Sequence, residues 1–144
     1  MRFMHARRGT SMPELVVVLV LTAIVLGIAV PRLHEAAERA AVRGAVAEVV
    51  AALSAARQLA VSRRGGVALA LDRRDTAIHV IGDGDTILTR RLGTVFGVTI
   101  QSTRDSLAYD ARGLGLGAAN LTFVVLRGRS ADTVVVSRLG RVRW

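Results

Sequence analysis

One carboxylate is conspicuous in the first third of the chain. Glu14 stands at the head of Leu15–Val30, a run of sixteen residues (LVVVLVLTAIVLGIAV) with no charged side chain. An ionisable group at membrane depth is costly unless it is paired, so its presence there is a functional signal. The chemistry open to it is ionic, the capture of a cationic partner, and the alternative is a carboxylate solvated at the lipid headgroup level. A second group of candidates lies in GRVRW, where Arg141 and Arg143 are two residues apart. An extended strand projects both to one face. Arg127 and Arg129 repeat the spacing, with Arg138 nearby in sequence. Two such pairs would form a stripe able to grip phosphates, with Trp144 available to stack on a base. The alternative is a solvated sheet face neutralised by the chain's own acids.

The remaining polar groups offer less. His5, His34 and His79 are scattered through the leader, the kink and a strand, so they read as structural or solvent-facing. Asp83 and Asp85 in GDGD supply two hard oxygen ligands of the kind calcium takes, but no downstream glutamate completes the set. A hairpin turn is the simpler reading. Gly113, Gly115 and Gly117 precede a strand pattern rather than a helix, so they do not form a phosphate cradle. Cysteine is absent, which excludes disulfides and thiolate metal sites. We expect no catalytic residues, no metal and no cofactor, and the chain does not read as an enzyme.

The elements that must position these residues are legible from periodicity. From Thr10 to Pro31 a helix would be roughly 31 Å long, about one hydrocarbon thickness. Residues 32–63 continue it: Val42, Val46, Val49, Leu53, Ala56 and Ala60 recur at three- and four-residue steps and mark one apolar face. Glu35, Arg39 and Arg43 stand four apart on the polar face. Pro31 is the expected kink between the halves, and Gly65-Gly66 the expected stop. Beyond Gly66, VALALD, TAIHVIG, TILTRRL, VTIQ, LTFVVLR and DTVVVSR are short β-rich runs. DRRD (72–75) and GDGD (82–85) are turn-sized links, so the first three strands should form a meander. DARGLGLGAAN (110–120) reads as a glycine-rich loop. The fold class is α+β: a long N-terminal helix, transmembrane in its first half and amphipathic in its second, packed on an antiparallel β-sheet. Aromatics make up only 3% of the chain, so Val, Leu, Ile and Ala must build the core. The net charge of +9 comes with twenty arginines and no lysine. It favours acidic partners such as nucleic acid or anionic lipid without choosing between them.

A conventional secretory signal would carry its cleavage site after the apolar run, and GIAVPRL is a weak version of one. The small residue that stands out, Gly9, instead precedes the run and follows Arg7-Arg8. RRGTSMPELVVVLV resembles the class III signal of type IV pilins and pseudopilins: a basic leader, a Gly at the cut, then a hydrophobic helix with a Glu five residues on. Thr10 stands where that family usually has Phe, and Pro13 replaces the more usual aliphatic residue. LAYDARGLG, a following strand and the VVVSRLGRVRW ending extend the likeness to the GspH/FimT type of minor pseudopilin. The resemblance implies a leader at 1–9, a transmembrane assembly helix at 10–31 kinked at Pro31, and a periplasmic domain at 32–144 with helix 32–63 and sheet 66–144. It implies cleavage after Gly9 and N-methylation of Thr10 by a prepilin peptidase, and pairing of Glu14 with the new α-amino group of a neighbouring subunit. Arg7 and Arg8 agree with the positive-inside rule, which leaves the N-terminus cytoplasmic and the domain periplasmic. The implied function is that of a minor pseudopilin in a type II secretion pseudopilus. The subunit would rest in inner-membrane lipid until its N-terminal helix joins other pseudopilins or pilins near the filament tip. The alternative is a FimT-like minor pilin of a type IV pilus. In such members the Gly-Arg-x-Arg ending is associated with DNA binding for natural transformation, and here it would be carried by Arg141 and Arg143. A signal-anchored envelope domain that never assembles is the third possibility.

Overall fold

The computed structural model describes residues 11–116, 120–137 and 139–144. Its first element, α1, is a 52-residue helix, Met12–Arg63. The chain divides into two compact units, Met1–Glu35 and Ala36–Trp144. In the first unit α1 buries nothing in its apolar stretch: Leu15 to Val30 leave their large side chains exposed on every face. An all-round apolar helix of this length is what a bilayer accepts, because its backbone groups are bonded internally. Among the described residues α1 is the one helix long and apolar enough to cross a membrane. Pro31 lies inside it, withholding the amide that would otherwise bond to the carbonyl of Gly27.

In the second unit the helix becomes one-sided. Val42, Ala45, Val46, Val49, Ala52, Leu53, Ala56 and Ala60 are all buried, at the three- and four-residue spacing expected of one face. Four of the eight are alanine. Among the described residues nine strands follow: β1 Val67–Asp72, β2 Ala77–Gly82, β3 Asp85–Arg91, β4 Thr99–Ser102, β5 Ser106–Tyr109, β6 Gly115–Leu116, β7 Leu121–Arg127, β8 Ser130–Val136 and β9 Val142–Arg143. A short helix, α2 (Leu92–Phe96), separates β3 from β4.

The strands form two antiparallel sheets rather than one. The first has the order β3-β2-β1-β5-β6 and the second β4-β7-β8-β9. The expected meander β1-β2-β3 is present. Its second hairpin turns on Asp83 (φ 55°) and Gly84 (φ 88°), the paired positive φ that a type I′ turn requires. The division between sheets follows from non-local pairing: β1 pairs with β5 across Val67↔Tyr109 to Ala70↔Ser106, while β4 pairs with β7. The region read as a glycine-rich loop contains a small hairpin. Asp110 organises it, its carboxylate accepting the amides of Arg112 (2.9 Å) and Leu114 (2.8 Å). Leu116 then pairs with Ala108. The core joins helix and both sheets, with Leu69, Ile78 and Val80 from the first sheet and Phe123, Val125 and Val134 from the second fully buried with Val49 and Leu53.

Candidate functional site

Three places in the molecule gather the polar groups of interest. The first is the start of α1. Gly9 and Thr10, the expected cleavage and methylation positions, lie outside the described residues, as do Arg7 and Arg8. Glu14 is in the first turn of α1. Its Oε2 accepts the backbone amide of Ser11 at 3.4 Å, while the Ser11 carbonyl accepts the amide of Leu15. Ser11-x-x-Glu14 has the spacing of a capping box, and the carboxylate reaches back to the residue before the helix. That motif was present in SMPE and is a second use for Glu14 beside the ionic one. A carboxylate there also complements the positive end of the helix dipole.

The second place is the β7–β8 hairpin. Arg127 pairs with Ser130 across it, and Gly128 has φ +54°. Arg127 therefore ends β7 while Arg129 lies within the tight turn, so the two do not lie on one extended strand, which removes the second pair from the expected stripe. Arg127 donates from its Nη1 to the carbonyl of Phe96 at the end of α2, a cationic cap on an unsatisfied helix carbonyl. Arg129 donates its backbone amide to Glu38 Oε2 at 3.1 Å. Glu38, on α1, is only 9% exposed. A Cβ on Gly128 would fall 1.9 Å from Glu38 Oε1. Glu38 thus fastens the hairpin to the helix, and only glycine fits opposite it. Periodicity gave no hint of this residue, because a buried carboxylate interrupts the apolar face.

The third place holds the arginines of the Gly-Arg-x-Arg stretch. The carbonyl of Arg141 accepts the amide of Ser137, and the amide of Gly140 bonds back to the Ser137 carbonyl. β9 then pairs with β8 through Val135↔Arg143 and Val136↔Val142. Arg141 and Arg143 are exposed, with half-buried Val142 between them. Both line a cavity of about 370 Å³ whose other walls include Val50, Leu53 and Arg57 of α1, Tyr109 of β5, and Trp144. No sequence pattern sets Arg57 apart from the other helix arginines, and the fold adds it to the pair. Among the described residues no acidic side chain lines this cavity. Tyr109 is buried, and burial pushes its phenol above the ordinary value of 10, with the Arg57 guanidinium pulling it partly back. Arg138 lies outside the described residues.

The lesser candidates have local partners. His79 Nδ1 is 3.0 Å from the Thr89 hydroxyl on the neighbouring strand. Asp83, in the turn, faces Arg63 at 3.5 Å. His5 lies outside the described residues.

A profile of the family described as type II transport protein GspH matches residues 45–140, which run from the buried half of α1 to Gly140. The chain belongs to the GspH family. It is accordingly a structural, pilin-like protein of the minor pilin and pseudopilin group. Two crystal forms of the type IV minor pilin FimU from Pseudomonas aeruginosa share the fold of this GspH-family chain. One aligns with a TM-score of 0.62 and 19% identity over 73% of this chain and 88% of the other. The second gives 0.58 and 18% over 70% and 90%. No curated protein sequence matches the chain.

Proposed function

We propose that this GspH-family protein is a minor pseudopilin of a type II secretion pseudopilus. Membership of a family described by its type II transport role carries the reading. The exposed apolar helix headed by Glu14 supports it. A prepilin peptidase cuts after Gly9 and methylates Thr10. The helix to Pro31 then anchors the subunit in the inner membrane, with Pro31 as its kink and residues 32–144 on the periplasmic side. On assembly, Glu14 exchanges its capping contact with Ser11 for the α-amino group of a neighbouring subunit's Thr10. The exchange lets the carboxylate enter a helix bundle as half of an ion pair, which an unpaired charge could not do. Glu14→Ala should be cleaved normally and remain in the membrane, yet fail to copurify with the other pseudopilins. Normal copurification would remove Glu14 from assembly.

A DNA-binding minor pilin of a type IV pilus is the second reading, favoured by the cavity that brings Arg57, Arg141, Arg143 and Trp144 together without an acid. Binding there would be insensitive to base sequence and fall steeply with salt, with a log–log slope of about −0.9 for each phosphate neutralised. Changing Arg141 and Arg143 to Gln would flatten the slope by about two. No binding to duplex at low salt would discard this reading.

A further inference from the structure

We propose that the open edge of β9 and the groove between it and α1 dock an extended, acidic peptide segment of a partner protein, added as a further strand to the second sheet. Three observations converge on this surface. The first is backbone geometry. β9 is the end strand of its sheet, with β8 on one side and no strand on the other among the described residues. The Arg141 carbonyl points toward β8, where it accepts the Ser137 amide at 2.8 Å. Alternation along an extended strand then turns the amide and carbonyl of Val142 away from β8, toward the open side. That is a donor and an acceptor at the spacing an incoming strand uses.

The second observation is charge. Arg57, Arg141 and Arg143 line the adjoining cavity, and no Asp or Glu does among the described residues. β9 is only two residues long and carries arginine, so its edge discourages indiscriminate pairing and favours an acidic segment. A chain entering here meets three guanidiniums, so carboxylates on alternate residues of the partner are selected and cationic segments are repelled. The third observation is shape. Val50 and Leu53 of α1 form an apolar floor, and Trp144, 70% exposed, stands at the rim. A strand that alternates acidic and apolar residues meets Arg141 and Arg143 with one face and lays the other on the floor, where Arg57 of the same helix stands beside it. Nucleic acid would use the arginines and the indole but leave the Val142 backbone groups and the apolar floor unused, so the peptide accounts for more of the surface.

The test uses the full chain in dodecyl maltoside micelles and fluorescence anisotropy of a labelled eight-residue peptide of alternating Asp and Val. The Asp–Val peptide should bind, and a Lys–Val peptide of the same length should not. Two further peptides are N-methylated, one at every Asp amide and one at every Val amide. Because only one set of amides faces β9, one of these should bind at least tenfold more weakly and the other should be little changed. Arg57→Met, which keeps the aliphatic stem, and Arg143→Gln should each weaken binding about tenfold, in line with loss of one charge pair at a partly desolvated groove. Equal binding of both methylated peptides would overturn strand addition, and that arm does not depend on the folding of any variant. Binding of oligothymidylate with no binding of the Asp–Val peptide would overturn the assignment to a protein partner and favour the DNA reading of the same arginines.

Discussion

Gly128→Ala is the substitution from which most can be computed. Two costs add at this position. The residue sits at φ +54°, and a left-handed conformation costs a non-glycine residue about 1–2 kcal/mol. The new Cβ would also lie 1.9 Å from Glu38 Oε1 and 2.4 Å from its carboxyl carbon, so the carboxylate must leave. Departure breaks the 3.1 Å bond from the Arg129 amide, and a hydrogen bond to a charged group contributes about 1.5–3 kcal/mol. Together the loss should be about 2.5–5 kcal/mol, large for a single substitution in a surface turn. Urea unfolding in detergent, followed by circular dichroism of the strands, measures it. The decisive comparison repeats Gly128→Ala in a Glu38→Ala background. There the clash is gone and only the backbone cost of about 1–2 kcal/mol should remain. A cost within about 0.5 kcal/mol of zero in the parent, or the same cost in both backgrounds, would refute the latch between hairpin and helix.

Other outcomes follow from the core and the anchor. Leu53→Ala should cost about 2–5 kcal/mol in the same assay, because Leu53 is 1% exposed between the helix and the sheets. Tyr109 makes stability alkali-sensitive. Below pH 10 its phenol is neutral in both states; above that the unfolded chain ionises first, so stability should fall as pH rises through the folded value, and Tyr109→Phe should flatten this limb of the profile. Deleting residues 1–31 should leave a soluble, folded domain, since the buried core begins at Glu38 and Val42; aggregation of that fragment beside a well-behaved full chain in detergent would contradict it.

The helix and its buried stripe were legible because periodicity is local: Val42 to Ala60 announce one face within twenty residues. The Asp83-Gly84 turn was legible for the same reason. Strand partners were less so. The pairing of β1 with β5 joins residues about forty apart, and nothing in either segment distinguishes one sheet from two. The five residues of α2 are too few for a periodic signal, and its end depends on Gly97 in a left-handed conformation and on Arg127. The pairing of Arg127 with Arg129 as a strand stripe failed because Gly128 turns the chain between them. Arg57 could be joined to Arg141 and Arg143 only by the fold, which sets the helix beside β9. The Ser11-x-x-Glu14 box, by contrast, is complete in four consecutive residues.

The mass of the mature protein, purified from cells that contain a prepilin peptidase, tests the central claim most directly. The mature chain should begin at Thr10 with one added N-methyl group, and the leader should be retained when Gly9 is replaced by a bulky residue. A mature chain that keeps residues 1–9, or one cut near Ala29 at the far end of the apolar run, would contradict it.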